Sequence, residues 1–358
     1  MVNFTIIAGG YTTFIASYLF NSDTNAVSLL NTYPTGTDPS WIIGHPTNES
    51  ILYATNENTP GAVQSFTVTS AGVLSAPVDT VPSGGNAPAF GAPLPVGGQF
   101  AVVNYNSGTG LIIPTTSDPL HFSNSASLIT FPPPAGGVSH PHMALQYGNE
   151  VFVSDLGADK VWRLSEVNGS PGTWSIHGFI QQPTGSGPRH MAIYNDELYI
   201  IHELSSTLTV QAIPSFPNGT TPFLGNVSIL PPTYPAGAAF AGGEILLPPP
   251  TPAFPTPYIY VSNRNTGTQD PRGDAIDVYQ RTNNAVGLTR VAQVFTGLDQ
   301  IRGMQFGKAE NGGDAYLMAG GVAGTAGVVV LKRTNGGAGL EIVANNTQLP
   351  TRTSFVWL

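Results

Sequence analysis

The sequence predicts an all-β fold built from repeated small sheets, and three observations lead to this prediction. Gly (42) and Pro (32) together exceed a fifth of the 358 residues, and only 9% of residues are charged. Long helices need many Ala, Leu, Glu and Lys residues, and this sequence has few of the charged ones. Hydrophobic residues reach 41%, which is too high for a disordered chain. A pattern of strand, turn and strand also recurs along the chain.

The repeat is clearest between residues 139 and 204. One unit begins at 139–143 (Ser-His-Pro-His-Met) and continues through 151–161, and the next begins at 187–192 (Gly-Pro-Arg-His-Met-Ala) and continues through 198–204. Each unit has a Pro beside a basic residue, a short apolar strand, a turn, and a second strand that ends in a polar residue. Consecutive units of this kind indicate a repeat architecture.

Six full copies of the unit follow one another roughly 47–62 residues apart, which is typical of four-stranded propeller blades. A seventh, N-terminal piece lacks the first strand, and residues 353–358 (Thr-Ser-Phe-Val-Trp-Leu) resemble it. The sequence therefore predicts one domain over 1–358, a seven-bladed β-propeller closed by strands from both ends, which leaves no open sheet edge.

Pro-rich stretches interrupt the sixth unit. Residues 231–241 and 247–257 cannot form central strands, because Pro donates no ladder hydrogen bond. We expect them to be loops that lie over one end of the ring. Residues 266–273 form a third insertion, directly after Arg264.

The charge balance argues against several partners. The net charge is −9 with a pI near 5.1 and no Lys/Arg cluster, so neither nucleic acid nor a membrane surface is expected to bind. The absence of Cys excludes disulfides, thiolate metal sites and Cys nucleophiles. The start of the chain has no basic n-region, so we expect a cytoplasmic protein, with a secreted protein whose signal is absent from this chain as the alternative. Self-association into a homo-oligomer stays open.

The polar residues that recur at equivalent points of the units are the candidate functional residues, because the first strands of a propeller line the central channel. The start of the first strand carries Trp41, Phe90, His142, Arg189, His190, Phe240 and Arg302. The end of the second strand carries Asn56, Glu57, Asn104, Asn106, Asp155, His202, Glu203, Asn263 and Arg264.

Together, His142, Arg189, His190, Glu203 and Arg264 would form a cationic pocket with one carboxylate. Arg binds carboxylates with a planar fork, and His transfers protons near neutral pH. The pattern predicts a small polycarboxylate or another oxyanion as ligand, or a lactone formed from it.

Three further residues, His202, Asp155 and Arg302, are expected to contact the substrate. For any one Arg–Glu pair the alternative is a structural tie between blades, and for Asp155 it is a turn-capping role.

Metal and nucleotide sites are not expected. His140 with His142, and His202 with Glu203, are the only closely spaced candidate ligands. His202 and Glu203 are neighbours on a strand and point to opposite faces, and His140 and His142 have no evident third ligand. No Gly pair precedes a helix as a phosphate loop would, and no G-x-S-x-G motif is present. We therefore predict no metal and no cofactor.

Five segments resemble the seven-bladed β-propeller lactonase family, which includes bacterial 6-phosphogluconolactonase and fungal 3-carboxy-cis,cis-muconate lactonizing enzyme. They are 139–143, 153–161, 187–192, 198–206 and 260–264. The resemblance to the fungal enzyme implies a pocket of one His, two Arg and one Glu. Matched motif by motif, these fall on His142, Arg189, Arg264 and Glu203.

Three hypotheses for the function follow. The first is a metal-free cycloisomerase that lactonises a carboxymuconate-like substrate reversibly, as in aromatic degradation. The second is a sugar-lactone hydrolase of the 6-phosphogluconolactonase type. The third is a propeller recruited for binding or for cyclising a secondary metabolite, because a shared fold does not transfer a reaction.

Overall fold

The computed structural model describes residues 2–95, 97–283 and 286–358, which form seven four-stranded antiparallel sheets. Helical structure among the described residues is limited to two 3-10 segments, Glu310–Ala315 and Asn335–Gly337. None of the described helices is long and apolar enough to cross a membrane. Turn residues such as Asn25, Asp159 and Asn195 have positive φ, a conformation that Asn and Asp tolerate better than most residues.

Each sheet is one blade, whose strands are named from the centre of the ring outward. Blade 1 contains β28 (Ser354–Trp357), β1 (Asn3–Gly9), β2 (Phe14–Asn21) and β3 (Ala26–Pro34). Blade 2 contains β4 (Trp41–Gly44), β5 (Ile51–Asn56), β6 (Ala62–Thr67) and β7 (Asp79–Pro82). Blade 3 contains β8 (Pro88–Pro93), β9 (Gln99–Asn104), β10 (Thr109–Pro114) and β11 (Ile129–Thr130). Blade 4 contains β12 (Pro141–Tyr147), β13 (Glu150–Asp155), β14 (Lys160–Glu166) and β15 (Trp174–Gln181).

The remaining three blades follow in the same order. Blade 5 contains β16 (Pro188–Tyr194), β17 (Glu197–His202), β18 (Thr207–Ala212) and β19 (Phe223–Ser228). Blade 6 contains β20 (Phe240–Leu246), β21 (Tyr258–Asn265), β22 (Ala275–Arg281) and β23 (Leu288–Phe295). Blade 7 contains β24 (Asp299–Phe306), β25 (Tyr316–Ala323), β26 (Gly327–Thr334) and β27 (Gly339–Asn346).

The inner strands form a closed ring. Each inner strand contacts that of the next blade, and β28 lies between β24 and β4. Ile6 pairs with Trp357 and Gly9 with Ser354, so the C-terminal strand supplies the inner strand that the N-terminal piece lacks. The predicted all-β, seven-bladed propeller is therefore confirmed, together with its closure by both ends of the chain.

The hydrophobic core lies between blades. Seven clusters of buried residues each join two neighbouring blades; for example, Phe90 and Val103 of blade 3 pack with Val153 and Trp162 of blade 4. Burial of each such side chain stabilises the fold by about 1.5–3 kcal/mol. Because the apolar faces of the sheets are used between blades, the inner strands are free to carry polar residues into the channel.

The two Pro-rich stretches lie at opposite ends of the ring, which contradicts the expectation that both cover the same end. One precedes inner strand β20 and the other follows it, so they are separated by the length of that strand. The first also ends earlier than predicted, because Phe240 and Ala241 belong to β20. The second loop contacts blade 7, where Phe254 packs against the guanidinium group of Arg333.

Candidate functional site

The inner strands of blades 3, 4, 5 and 7 each carry a β-bulge with one extra residue near the start of the strand. In blade 4, Pro141 and Met143 pair with the consecutive residues Asp155 and Ser154, so His142 is an extra residue outside the ladder. The corresponding extra residues of blades 3, 5 and 7 are Ala89, Arg189 and Arg302. A bulge redirects a side chain without breaking the rest of the sheet. Three predicted pocket residues are thus presented at one level of the channel.

At the end of each second strand, the pairing with the inner strand decides which way a side chain faces. Asp155 and His202 pair with Pro141 and Pro188, so they belong to the ladder, and both are fully buried. Side chains alternate between faces along a strand, so the next residue faces the other way. In blade 5 that next residue is Glu203, which reaches the channel mouth.

The centre of the site is an ion cluster around Glu203. Its Oε2 lies 3.0 Å from Nε of Arg189 and 2.6 Å from Nη2 of Arg264. Both guanidinium groups also donate to backbone carbonyls, Arg189 to Gly243 at 2.5 Å and Arg264 to Gly242 at 3.1 Å. Oε1 of Glu203 accepts no hydrogen bond from the described residues, and this side chain is 19% exposed.

Arg302 completes the cationic side of the mouth. Its Nη2 lies 3.5 Å from Oε1 of Glu57, and its guanidinium carbon lies 5.2 Å from the ring centre of Tyr11. The Tyr11 hydroxyl donates to Oε2 of Glu57 at 3.0 Å. Arg302 forms no hydrogen bond with the residues that the structure describes, and its side chain is 17% exposed. It is therefore the guanidinium group of the cluster with most freedom to contact a ligand.

Two histidines lie next to this cluster. The ring centres of His142 and His190 are 5.0 Å apart, and Nδ1 of His190 lies 2.6 Å from Oε1 of Glu244. Tyr105 contacts His142 edge-on at 5.8 Å. Nδ1 of His142 is buried, with no hydrogen-bond partner among the described residues.

The local charges decide which groups are ionised. Burial alone would raise the pKa of Glu203, but Arg264, Arg189 and Arg302 outweigh it and hold this pKa below its usual value. Burial, and then the charge of Arg189, lower the pKa of His142 well below 6.5. Burial and the neighbouring guanidinium groups lower the pKa of Arg189 to about 10. At neutral pH the site therefore contains a charged Glu203, a neutral His142 and charged arginines.

Of the predicted residues, His142, Arg189, His190, Glu203, Arg264 and Arg302 come together, whereas two others do not. Asp155 accepts five hydrogen bonds, among them 2.6 Å from the Ser139 hydroxyl and 2.8 Å from the Trp162 indole, so its oxygens are occupied by the fold. His202 is bonded within its blade, with Nε2 2.8 Å from the Thr209 hydroxyl. Neither is positioned to contact a substrate at the mouth.

Phe240 does not occupy the place that corresponds to His142, although the repeat spacing predicts that it does. The irregular point of β20 falls between Gly242 and Ile245, so Gly243 and Glu244 occupy the bulge. Phe240 instead packs against Tyr234 of the preceding loop, with ring centres 5.1 Å apart. Repeat spacing alone places the equivalent residue too early, because three residues of β20 precede its bulge, whereas one residue precedes the bulge in β12 and in β16.

Sequence reasoning missed Tyr11, Tyr105 and Glu244. A signal for Glu244 existed, because it is the charged residue of an apolar strand and directly follows a Gly pair. Tyr11 lies in the incomplete N-terminal piece, where no repeat partner marked it. No group of three or more His, Cys, Asp or Glu side chains that could hold a metal occurs among residues 2–95, 97–283 and 286–358.

The comparison with known families agrees with the seven-bladed fold. The model of the lactonase family, described as a seven-bladed β-propeller, matches residues 5–357. The chain belongs to this family. No curated protein matches the sequence of this lactonase-family protein.

Solved structures resemble the lactonase-family protein over its whole length. A periplasmic gluconolactonase of Pseudomonas aeruginosa has 18% identity and a TM-score of 0.81, covering 100% of this chain and 99% of that one. A Bacteroides fragilis protein assigned as a 6-phosphogluconolactonase has 18% identity and a TM-score of 0.80, covering 99% and 98%. A Lactobacillus plantarum protein has 20% identity and a TM-score of 0.81, covering 100% of both chains. At these identities the likeness concerns the fold.

Proposed function

We propose that this lactonase-family protein hydrolyses an uncharged sugar lactone. The observation that carries the proposal is the state of Glu203: Oε2 is held by Arg189 and Arg264, while Oε1 accepts no hydrogen bond from any residue that the structure describes. A fixed, ionised carboxylate beside guanidinium groups supplies a base and an oxyanion-stabilising environment in one place. The family membership and the resemblance to a gluconolactonase structure support the same reaction class.

In the proposed reaction, Oε1 of Glu203 accepts a proton from a water molecule whose oxygen attacks the lactone carbonyl carbon. Arg302 donates to the carbonyl oxygen and stabilises the negative charge that develops there. The tetrahedral intermediate then breaks the ring C–O bond, and the proton on Glu203 passes to the departing alkoxide. The product is the open hydroxy acid, and Glu203 returns to its charged form. His142 is neutral and positions the substrate by hydrogen bonding.

The charge balance supports an uncharged substrate. The guanidinium groups of Arg189, Arg264 and Arg302 face three carboxylates, Glu203 and Glu57 at the mouth and Glu244 deeper in the channel. The cluster therefore has no surplus positive charge to offset a phosphate or several carboxylates. This differs from our expectation of a polycarboxylate ligand, which counted one carboxylate in the pocket.

A cycloisomerase that forms a lactone from a carboxymuconate-like substrate is the second candidate. It is favoured by one observation, namely that His142, Arg189, Arg264 and Glu203 lie in one cluster, as the resemblance to the fungal enzyme implies. The two arginines would hold one substrate carboxylate against the carbon that it attacks. Both are already bound by Glu203, however, which makes lactone hydrolysis the better-supported reaction.

The test is to assay glucono-1,5-lactone, 6-phosphogluconolactone and 3-carboxy-cis,cis-muconate in parallel, with spontaneous hydrolysis subtracted. We expect turnover of gluconolactone above that of its phosphorylated counterpart. Glu203→Gln should lower kcat by at least about 100-fold, the usual contribution of a general base.

The matched control is Glu197→Gln. Glu197 is paired with Arg281 at 2.9 Å and is similarly exposed, but it is outside the mouth cluster. It should keep full activity. Turnover of carboxymuconate with no activity on either sugar lactone would replace the hydrolase by the cycloisomerase, and inactivity on all three would contradict both.

A further inference from the structure

A cavity lies farther along the same channel. Its volume is about 600 Å³, and it is lined by the later residues of the inner strands, including Leu94, Leu145, Ile193 and Leu246. The ion cluster uses the first residues of these strands, so the cavity opens toward the opposite end of the ring. Exposed Gln305 is among the residues that line it.

Small side chains make this space. Ala92 and Ala192 occupy matching places on two inner strands, three residues after the bulge, and Ala144 also lines the cavity. Large apolar residues in place of these alanines would reduce its volume. The walls are predominantly apolar, so a ligand is bound mainly by removing its hydrocarbon surface from water.

Two polar atoms without partners interrupt the apolar lining. Nε1 of Trp41 and Nε2 of His190 are both buried and have no hydrogen-bond partner among the described residues, and both side chains line the cavity. Their rings meet edge-on with centres 5.3 Å apart. A buried polar atom without a partner costs free energy, and a ligand that provides the partner recovers it.

The two atoms require complementary partners. The indole N–H of Trp41 can only donate. Nδ1 of His190 lies 2.6 Å from the Glu244 carboxylate, and a carboxylate can only accept, so Nδ1 carries the proton and Nε2 of the neutral ring accepts. One hydroxyl group answers both needs, because it accepts from Trp41 and donates to His190.

We propose that this cavity is a binding site for a neutral, largely hydrocarbon molecule with a hydroxyl group, separate from the site at the ion cluster. The hydrocarbon part occupies the apolar channel beside the three alanines. The hydroxyl lies at the inner end, beside Trp41 and His190. This site is independent of the hydrolysis proposed above.

The experiment is a calorimetric titration of the full chain with 1-octanol and with 1-methoxyheptane. The two have the same number of heavy atoms, but the ether cannot donate a hydrogen bond. We expect 1-octanol to bind with a dissociation constant below about 1 mM and the ether to bind roughly fivefold more weakly, the equivalent of one net hydrogen bond. Trp41→Phe, which keeps a ring but removes the donor, should weaken 1-octanol binding by a similar factor.

A second variant, which blocks the cavity, gives a test that does not depend on the folding of Trp41→Phe. Gln305→Trp places an indole at an exposed position of the cavity lining, and it should abolish octanol binding while leaving lactone hydrolysis unchanged. Gln348→Trp, at an exposed position outside this cavity, is its matched control and should bind octanol normally. The proposal is overturned if 1-octanol does not bind, if the ether binds as tightly as the alcohol, or if Gln305→Trp binds as well as the parent.

Discussion

Glu203 and Arg264 belong to neighbouring blades and meet at the channel mouth, with Oε2 and Nη2 2.6 Å apart. The same carboxylate oxygen also holds Arg189 of its own blade at 3.0 Å. The contact therefore ties blade 5 to blade 6 as well as shaping the candidate site. The proposed functional role and the structural role therefore fall on the same residues.

This coincidence predicts a stability cost for Glu203→Gln. Arg189 is almost completely buried, and removing the negative charge leaves it with the Gly243 carbonyl as its remaining short contact. We expect the free energy of unfolding to fall by about 2–3 kcal/mol, somewhat less than for a fully buried pair because Glu203 is partly exposed. Urea denaturation measures it.

Glu197→Gln serves as the comparison. Its partner Arg281 is 21% exposed, so the loss should stay below about 1 kcal/mol. Equal losses in the two variants would show that the mouth cluster contributes nothing special to stability.

For Arg302 we expect a small effect on stability and a large effect on kcat. It is the most exposed of the three arginines, and its ion pair with Glu57 is long. Arg302→Met should therefore change stability by less than about 1 kcal/mol, while the loss of oxyanion stabilisation lowers kcat by at least about 100-fold.

Arg163 offers the contrasting variant. It is buried and bonded to Glu150 and to the carbonyls of Pro214 and Phe216, outside the mouth cluster. Arg163→Met should destabilise the protein and leave kcat unchanged. An Arg302 variant with full activity would remove this residue from the proposed mechanism.

We expect Asp155 to contribute to the stability of the fold and not to substrate binding. Its two oxygens accept from the Ser139 hydroxyl, the Trp162 indole and three backbone N–H groups. Asp155→Asn replaces one acceptor by a donor that faces other donors, so we expect a loss of about 2–4 kcal/mol in thermal or urea unfolding. The variant that remains folded at low temperature should keep its Michaelis constant. A raised Michaelis constant with normal stability would instead return Asp155 to the substrate site.

The burial of His202 predicts that the free energy of unfolding depends on pH, and it fixes the sign of that dependence. Burial lowers its pKa in the folded protein to about 3, whereas an unfolded His has a pKa of about 6.5. Between these values the unfolded chain binds the additional proton, so this residue reduces stability as the pH falls. Between pH 7.5 and 5.5 the contribution is about 1.4 kcal/mol.

Asn does not titrate in this range, so the variant His202→Asn lacks the contribution of His202 to the pH dependence of stability. Relative to the parent, its free energy of unfolding should fall by about 1.4 kcal/mol less over the same two pH values, measured by urea denaturation. Parallel pH dependences of parent and variant would contradict a neutral, buried His202.

The fold was predictable because its signals are local. Strand length, turn residues and the repeat of apolar segments are all visible over short windows, and residues 353–358 carry the pattern of the inner strand that blade 1 lacks. The positions of the Pro-rich loops were less predictable, because composition shows that a segment is not a strand but does not show at which end of the ring it lies.

The site was predictable in part. Repeat order found His142, Arg189, Glu203 and Arg264, whose side chains do meet. Asp155 and His202 lie apart from this group, because each is the last residue of its ladder and alternation turns its side chain away from the mouth. Glu244 and Tyr11 belong to the site through contacts with His190 and Arg302 respectively. These contacts join neighbouring blades whose residues are far apart in sequence, and no local pattern reports them.

The bulges have a consequence for the history and engineering of this scaffold. Ala89, His142, Arg189 and Arg302 stand outside the regular backbone pairing of their blades, so the chemical identity of these positions is uncoupled from the architecture that carries them. A methyl group, an imidazole and two guanidinium groups already share this one geometric slot. New specificities can thus be selected by diversifying four codons while the ring itself is left intact.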